Sequence, residues 1–302
     1  MFIIRNRTLF FALTGAFVAL SLFALAVFGL KFSIDFTGGT LVQVTYAQGR
    51  PPAPALQQSL DTAGFSNYSL REAGTNDYIL RTGNMTTAER AALPETLSAR
   101  GKYPATIDRE NEIGPTIGAE LRSKAIVSIA VVMLCILLFI AFAFRKVSKP
   151  VSSWVYGLVA LVTLIHDVII PVGFFAILGH FAGASVDTLF VTAVLTVLGF
   201  SVHDTIVVFD RVRENLRLNQ EHNKKEDFAE TAGRSLRQTF VRSVNTSLTV
   251  VFTLLVLFFL GPASTRDFAL TLLVGIIAGT YSSIFLATPL LVAIEQRRSK
   301  RK

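Results

Sequence analysis

The sequence has few charged residues and almost no cysteine, and each shortage excludes a class of protein. Charged side chains make up 17% of the 302 residues, whereas soluble domains average about 25%. The single cysteine, Cys135, cannot form an intrachain disulfide, so the fold is not a disulfide-stabilised secreted scaffold. Hydrophobic residues make up 51% of the chain and occur in blocks, which indicates a membrane protein rather than one large soluble core.

Six apolar segments are long enough to cross a bilayer, which takes about 20 residues in a helix. They are Leu9–Leu30, Ala125–Phe144, Val151–Leu178, Thr188–Phe209, Ser243–Leu260 and Phe268–Ile294. The first contains 22 residues without a charge. Because the apolar core of a signal peptide has only about 7–15 residues, this length predicts a membrane anchor rather than a cleaved leader.

These spans divide the chain into four regions, and the basic residues predict how the regions are oriented. The regions are 1–30 with the first span, the polar segment 31–124, spans two to six at 125–294 with a connection at 210–242, and the basic tail 295–302. Basic residues precede the first span, fill the connections after the second and fourth, and end the chain: Arg5, Arg7, Arg145, Lys146, Lys149, Arg211, Arg213, Arg217, Lys224, Lys225, Arg234, Arg237, Arg297, Arg298, Lys300, Arg301 and Lys302. We therefore expect both termini in the cytoplasm and the segment 31–124 outside. Topology and lipid headgroups account for most of the net charge of +8, which leaves no case for nucleic acid.

The polar segment 31–124 carries alternating strand and helix patterns. Strands are predicted at 40–46, 68–72, 78–82 and 105–110, and helices at 54–63 and from about 86 to 99. The second helix opens with Thr86 and Glu89 at capping-box spacing and contains Pro94, which disfavours a helix interior. The order βαββαβ predicts an α+β ferredoxin-like domain with one open sheet face. That face can bind a partner or be covered by another subunit, and the sequence does not choose between them.

Ionisable residues inside the spans are the candidate functional residues, because a charged side chain at the bilayer centre costs roughly 2.5–3.5 kcal/mol. Asp204 follows His203 in the fourth span. Thr188, Thr192 and Thr196 form one polar stripe at four-residue spacing that continues around the helix to His203. Ser201, Asp204 and Thr205 form an adjacent patch. Hydroxyls in spans also bond their own backbone, and the acid alone can serve as a polar contact between helices.

The fifth span carries Arg242 and Thr246, with Thr249 and Thr253 on the same face. Asp204 lies 17 residues after Asp187, and Arg242 lies 19 residues before Gly261, so both sit at comparable depth. A nearby arginine favours an ionised acid, whereas burial favours the protonated acid. An acid subject to both effects changes its charge when the arginine moves towards it or away from it, and a proton relay requires such a change. The alternative is that the arginine only reaches the lipid headgroups.

The third and sixth spans carry further patterns. The third contains a second intramembrane polar pair, His166 and Asp167, with Pro171 one turn later. A proline frees backbone carbonyls that often line a polar path, although the pair can equally hold helices together. The sixth has small residues at four-residue spacing, which predicts close helix packing rather than chemistry. They are Thr271, Gly275, Gly279, Ser283 and Ala287.

Five stretches make the chain resemble the SecD/SecF family of protein-export membrane proteins. They are residues 34–40 (IDFTGGT), 113–121 (IGPTIGAEL), 164–170 (LIHDVII), 199–215 (GFSVHDTIVVFDRVREN) and 238–249 (QTFVRSVNTSLT). They follow the family's order over nearly the whole chain, and the stretch 199–215 is highly specific. The resemblance implies an α-helical membrane protein with six transmembrane helices, half of an RND-type transporter, with SecD supplying the other six spans.

The resemblance also implies a function in the bacterial cytoplasmic (inner) membrane. The chain would act with SecD beside the SecYEG channel, using the proton-motive force to help an exported polypeptide across. Further membrane Sec accessory proteins are possible partners. No cofactor and no metal are expected, and sodium instead of a proton stays open as the coupling ion.

The family's membrane acid falls on Asp204 and its membrane arginine on Arg242. The predicted proton relay consists of Asp204, Arg242, His203, Ser201, Thr205 and Thr246. At position 203 the family often has Asn, whereas this chain has His, a side chain that can itself titrate in the neutral range. The glycines Gly38, Gly39, Gly114 and Gly118 are either a hinge that passes motion to the outside domain or simple turn residues.

Two other functional classes compete with this hypothesis. An intramembrane aspartyl protease would use Asp167 and Asp204 as a proton-sharing pair, but the YD and GxGD motifs of such proteases are absent. A non-transporting assembly factor would use its spans and its outside domain only to hold partners, with the buried charges serving packing. We therefore expect a transport subunit rather than an enzyme.

Overall fold

A computed structural model of the protein describes residues 2–66, 68–145 and 151–300. The chain forms two compact units. One consists of long helices, and the other is an α+β unit of Lys31–Ile126 with Ser185–Thr188. Four of the basic residues used for orientation, Lys146, Lys149, Arg301 and Lys302, lie outside the described residues.

Within the described residues, six helices are long and apolar enough to cross a membrane, which confirms the six predicted spans. In chain order they are Arg7–Phe28, Pro115–Ala143, Ser153–Ala182, Thr188–Glu221, Phe228–Leu260 and Arg266–Ser299, called the first to sixth helices below. The sixth is α-helical over Arg266–Ser282, π-helical over Ser283–Ala287 and α-helical again over Thr288–Ser299. A short helix, Phe2–Arg5, precedes the first helix, and a 3-10 turn, Ala263–Thr265, precedes the sixth.

The fourth and fifth helices extend well beyond the apolar segments that predict them. The predicted connection 210–242 is helical up to Glu221 and again from Phe228 onward. Only the turn between them is irregular, and Asn223 there has a φ of 51°, a conformation that asparagine adopts more readily than most residues. Asp227 starts the fifth helix by accepting a hydrogen bond from the Ala229 N–H at 3.2 Å.

Small residues allow the sixth helix to approach the fourth closely. A Cβ atom on Gly275 would lie 2.3 Å from Cγ2 of Val197, and one on Gly279 would lie 2.8 Å from Cβ of Ser201. Neither position tolerates a side chain unless the neighbouring atoms of the fourth helix shift. This contact is the close packing predicted from the small-residue pattern of the sixth span.

The α+β unit contains a four-stranded antiparallel sheet in the order β2-β3-β1-β4. Its elements are β1 Gly39–Tyr46, a helix Ala53–Thr62, β2 Ser69–Ala73, β3 Asp77–Thr82, a helix Thr87–Leu97 and β4 Ala105–Ile113, after a short helix Ile34–Thr37. In the centre of the sheet, Val42 of β1 pairs with Leu80 of β3 and Glu110 of β4. This order and pairing confirm the predicted ferredoxin-like fold.

One face of the sheet forms the core of this unit with the two helices. Val42, Val44 and Tyr46 alternate with half-buried residues along β1, as expected for a strand with one buried face. The Tyr46 hydroxyl donates to the Leu97 carbonyl at 3.0 Å, and burial raises the pKa of this tyrosine. The buried hydroxyl is thereby paired and costs little.

The second helix of the α+β unit begins with the predicted capping box. The Thr86 hydroxyl accepts a hydrogen bond from the Glu89 N–H at 3.2 Å, and the Glu89 carboxylate accepts one from the Thr86 N–H at 2.7 Å. The hydrogen bond from Thr86 lowers the pKa of Glu89. The helix runs through Pro94 to Leu97, so the cap and the packing outweigh the missing N–H of the proline.

Candidate functional site

Asp204 is buried in the fourth helix, with a fractional exposure of 3%. One of its carboxylate oxygens lies 3.4 Å from the Ser247 hydroxyl of the fifth helix. The Thr280 hydroxyl of the sixth helix donates to that of Ser247 at 2.6 Å. A chain of two hydroxyls therefore connects the acid to two neighbouring helices.

The predicted charged neighbours of Asp204 lie on the exposed side of these helices. His203 and Arg242 are both exposed. No ion pair joins Arg242 to Asp204 among the residues that the structure describes. Both side chains nevertheless interact electrostatically with the Asp204 carboxyl. The structure thus brings the predicted acid and arginine within electrostatic range but not into contact.

Exposed polar residues continue along the fourth and fifth helices. We define the polar surface as Thr192, Thr196, His203, Arg242, Asn245, Thr249 and Thr253, all of which are exposed. Three of its hydroxyls bond the preceding turn of their own helix at 2.8–3.0 Å, as serine and threonine often do in spans. Lipid does not solvate histidine and arginine well, so the polar surface requires protein or water against it.

Two other predicted relay residues lie near Asp204 without bonding it. Thr246 is half-buried, and its hydroxyl donates to the Arg242 carbonyl of the same helix at 2.9 Å. Thr205 is buried, and its hydroxyl lies 2.9 Å from that of Ser283 on the sixth helix. Thr246 is therefore satisfied within its own helix, whereas Thr205 contributes to helix packing.

Asp167 is the centre of a second, fully enclosed cluster, with a fractional exposure of 0%. One carboxylate oxygen lies 2.8 Å from Nδ1 of His166. The other accepts hydrogen bonds from Ser201 of the fourth helix and, at 2.9 Å, from Ser282 of the sixth. Ser201 therefore belongs to the His166–Asp167 pair, whereas the sequence analysis grouped it with Asp204. Because every partner comes from a packed helix, the cluster ties the third, fourth and sixth helices together.

Sequence reasoning missed three hydroxyls of these clusters, on Ser247, Thr280 and Ser282. Ser247 lies one position from the predicted Thr246 and four after Ser243, and both serines are buried. Small polar residues at four-residue spacing were the available signal for this buried face. The sixth span was assigned to packing alone, and nothing in its small-residue pattern distinguishes hydroxyls that bond from hydroxyls that only pack.

The four candidate hinge glycines lie in the α+β unit and differ in their surroundings. Gly38 and Gly39 have φ angles of 77° and 127°, which favour glycine. A Cβ on Gly38 would lie 2.7 Å from Cα of Pro115, and one on Gly118 would lie 2.8 Å from the Gly38 nitrogen. A Cβ on Gly114 would meet nothing within 4 Å. Backbone geometry thus accounts for three of the four, and the hinge stays a prediction.

The described residues contain no group of three or more His, Cys, Asp or Glu side chains that could hold a metal ion. The two aspartates of the protease hypothesis are also not bonded to each other. Asp167 is held by three other side chains, and Asp204 by Ser247. The arrangement is one of two separate acids in different environments.

Comparison with known protein families gives two matches. The family model described as "Protein export membrane protein SecD/SecF, C-terminal" matches residues 95–297, and the SecD/SecF GG motif matches residues 23–49. The chain is similar to the protein translocase subunit SecF of Thermobaculum terrenum, with 42% identity over 98% of this chain and 94% of the relative. It is also similar to that of Anaerolinea thermophila, with 39% identity over 97% and 94%.

A solved structure has the same architecture over nearly the whole chain. The crystal structure of SecDF from Thermus thermophilus, described as a translocon-associated membrane protein, superposes with a TM-score of 0.84 at 32% identity. The match covers 98% of this chain and 38% of the solved one. Both the sequence and the fold comparisons thus lead to the same group of multi-pass membrane proteins.

Proposed function

Because the chain belongs to the SecD/SecF family of protein-export membrane proteins, we propose that it acts with SecD as a proton-driven subunit of a Sec translocase. Its SecF and SecDF relatives support a role in Sec protein translocation. The proposal adds the energy source and the partners. These are the proton-motive force, SecD, the SecYEG channel, an exported polypeptide and further membrane Sec accessory proteins.

One observation carries the energy-coupling part of the proposal: Asp204 is buried, yet the described residues give it a single, long hydrogen bond. An ionised carboxylate in a low-dielectric site needs several donors or a contacting cation, and here the Ser247 hydroxyl stands 3.4 Å away. Arg242 acts on the carboxyl only through space. Neither charge state is therefore locked, and in our proposal Asp204 takes up and releases a proton while Arg242 biases its charge.

The polar surface supports SecD as the partner that lies against these helices. A histidine and an arginine exposed on membrane-length helices require a protein or water neighbour. A relative from Thermus thermophilus, named protein translocase subunit SecDF, is 34% identical over 91% of this chain, which spans 36% of that protein. The remaining length of such a fusion has room for the second half of an RND-type transporter. We propose that SecD supplies this half here.

The proposed location is the bacterial inner membrane, with both termini in the cytoplasm and the α+β unit outside. The charge distribution supports this orientation, since the turn after Glu221 carries Lys224 and Lys225. With the α+β unit outside, a change at Asp204 would act on an exported chain through that unit.

The test is protein export into membrane vesicles under an imposed proton gradient, with SecD present at equal, verified levels. We expect Asp204→Asn to abolish the gradient-stimulated part of export while the complex with SecD stays intact. Asp210→Asn is the matched control, because it removes an acid from the same helix at an exposed position, 3.5 Å from Arg213. Persistent stimulation in Asp204→Asn would overturn the relay assignment.

Two further outcomes separate the alternatives. Loss of the complex in Asp204→Asn would favour an assembly factor, since the acid would then serve partner binding. If a sodium gradient stimulates export in the absence of a proton gradient, the coupling ion is sodium and the proposed transport role still holds.

A further inference from the structure

The hydroxyls of Ser247 and Thr280 each have one proton and two acceptors within reach. The Ser247 hydroxyl lies 2.9 Å from the Ser243 carbonyl and 3.4 Å from Asp204 Oδ2. That of Thr280 lies 2.8 Å from the Ile276 carbonyl and 2.6 Å from the Ser247 oxygen. Since a hydroxyl donates one hydrogen bond at a time, each side chain must choose between its own helix and a neighbouring helix.

The charge of Asp204 decides that choice. An ionised carboxylate only accepts, so it draws the Ser247 proton towards itself, and the Ser247 oxygen then accepts from Thr280. A protonated carboxyl donates to the Ser247 oxygen instead. The Ser247 hydroxyl then turns to the Ser243 carbonyl of its own helix, and its oxygen accepts from both the acid and Thr280. The Thr280 hydrogen bond is weaker in this state, because the Ser247 oxygen is shared between two donors and is no longer polarised by donating to a carboxylate. The Ile276 carbonyl offers Thr280 an alternative acceptor within its own helix.

We propose that Ser247 and Thr280 transmit the charge of Asp204 to the sixth helix, as positioning residues that act through their hydroxyl orientation. Ionisation tightens the contact between the fourth, fifth and sixth helices, and protonation loosens it. The only covalent bond that forms or breaks is the O–H bond of the Asp204 carboxyl, as its proton arrives or leaves. The inference rests on the proposed proton coupling, because it needs Asp204 to change charge.

The position of Thr280 explains why a change there can have a wider effect. It lies two residues before Ser282, which holds Asp167, and three before the π-helical turn Ser283–Ala287. Short π-helical turns inside α-helices occur frequently at functional sites. A weaker Thr280 hydrogen bond therefore affects the sixth helix close to the point where its backbone hydrogen bonds change from the α-helical to the π-helical pattern.

Other ionisable groups near this chain define what else can titrate. His203 is on the same helix as Asp204, and Arg242 is on the fifth. In the middle of the third and sixth helices they are His166, Asp167 and Tyr281. The Tyr281 hydroxyl lies 3.2 Å from Oγ1 of Thr14 on the first helix. None of these side chains contributes an acceptor or a donor to the hydroxyls of Ser247 and Thr280 in the described structure.

The experiment compares Thr280→Val and Ser247→Ala with wild type in the vesicle assay, over a range of pH. Thr280→Val keeps the shape of the side chain and removes the hydroxyl, and Thr280→Ser keeps the hydroxyl as the conservative variant. The matched control is Thr271→Val, because this buried threonine of the sixth helix donates to the Asp267 carbonyl of its own helix at 2.7 Å and to no other helix among the described residues. Gradient-independent export and recovery of the SecD complex are measured for every variant.

We expect Thr280→Val and Ser247→Ala to lower gradient-stimulated export about five-fold, the effect of losing one buried hydrogen bond. Gradient-independent export should stay unchanged, and Thr280→Ser and Thr271→Val should resemble wild type. In Ser247→Ala the pH midpoint of stimulation should also move higher, because the ionised acid loses its donor. A Thr280→Val variant that matches Thr271→Val in both the amplitude and the pH midpoint of stimulation would overturn the inference. If Asp204→Asn has lost stimulation in the same series, the proposed function survives that result.

Discussion

Asp167 and Asp204 are two buried carboxylates of the same helical unit, and they differ in how completely their surroundings satisfy them. Asp167 is fully enclosed and accepts from three side chains on three helices. Asp204 is almost as buried, but among the described residues it has one donor, at 3.4 Å, and no ion pair with its exposed neighbours His203 and Arg242. Burial alone therefore does not distinguish the roles of these acids.

The number of hydrogen bonds is the informative difference. A carboxylate whose acceptor sites are filled by neighbouring helices gains nothing from a change in charge and loses its partners if it moves. A carboxylate with unfilled acceptor sites differs little in free energy between its ionised and protonated forms. A group that changes charge during a cycle requires such a small difference. We propose that Asp167 holds the helices in place, and that Asp204 is the acid whose charge changes during a cycle.

The largest expected effect that tests this contrast is on stability. Asp167→Ala should destabilise the protein by about 3–5 kcal/mol, because it leaves His166 and two serine hydroxyls buried without their acceptor. Asp204→Ala should cost about 1 kcal/mol or less, since it removes one long hydrogen bond. The measurement is thermal unfolding of the purified chain in detergent. Equal losses for the two variants would contradict the assignment of different roles.

A milder pair of variants separates charge from hydrogen bonding. Asp167→Asn keeps an acceptor for one serine and should unfold between wild type and Asp167→Ala. Asp204→Asn should unfold like wild type, because the amide oxygen still accepts from Ser247. If Asp167→Asn were as stable as wild type, the negative charge would not be what holds His166 in place.

The sequence was sufficient for most of the fold because its patterns are local. Six apolar blocks, a capping box at Thr86 and Glu89 and the strand and turn signals of the α+β unit each depend on a few neighbouring residues. The ends of the fourth and fifth helices were not predictable in this way. Their polar extensions are held by contacts between the two helices, such as Asn215 to Ser235 at 2.7 Å, and apolar length alone says nothing about them.

The candidate site was only partly predictable, since it depends on which helices touch. The cost of charge in a membrane singles out Asp204, Arg242 and the His166–Asp167 pair without any structure. Which serine bonds which acid follows from helix rotation, and Ser201 lies three residues from Asp204 yet bonds Asp167. The spacing from Ser243 places Ser247 on a buried face, but nothing in the sequence shows that Ser247 and Thr280 bond a neighbouring helix rather than only their own backbone.

A smaller expected effect concerns the exposed neighbour of Asp204. His203→Asn should leave thermal stability close to that of wild type, because the histidine side chain is exposed. It should narrow the pH dependence of gradient-stimulated export in the range where histidine side chains titrate, since asparagine cannot take up a proton. The vesicle assay measured across that range checks this expectation, with Asn245→Ala on the polar surface as a control.

The outcome assigns the proton to one of two groups. An unchanged pH profile in His203→Asn would leave Asp204 as the titrating group and make the histidine a polar surface residue. If His203→Asn instead loses gradient stimulation as completely as Asp204→Asn, His203 carries the proton. The proposed difference in role between Asp167 and Asp204 would then be wrong.

The smallest expected effect uses a third acid, Glu226 in the turn before the fifth helix, which resembles Asp167 in being well satisfied. Its carboxylate accepts from Asn219 at 2.9 Å, Thr231 at 3.1 Å and Arg234 at 2.6 Å. Burial alone would raise the pKa of Glu226, but these hydrogen bonds and the Arg234 charge outweigh it and lower the pKa. A lowered pKa stabilises the fold above the ordinary value of 4.5, and this stability is lost as the pH falls through the lowered value.

Glu226→Gln should therefore cost about 1 kcal/mol or less at neutral pH and should flatten the loss of thermal stability between about pH 6 and about pH 3. Glu221→Gln is the matched control, because this exposed acid has one partner, Arg217, at 3.4 Å. If Glu226→Gln loses thermal stability at low pH as wild type does, three hydrogen-bond donors do not favour the ionised form of a carboxylate at the edge of the helical unit. The number of hydrogen-bond donors is also the criterion by which we assign a structural role to Asp167 and a coupling role to Asp204. That result would therefore weaken the criterion for these two acids, which are more buried than Glu226.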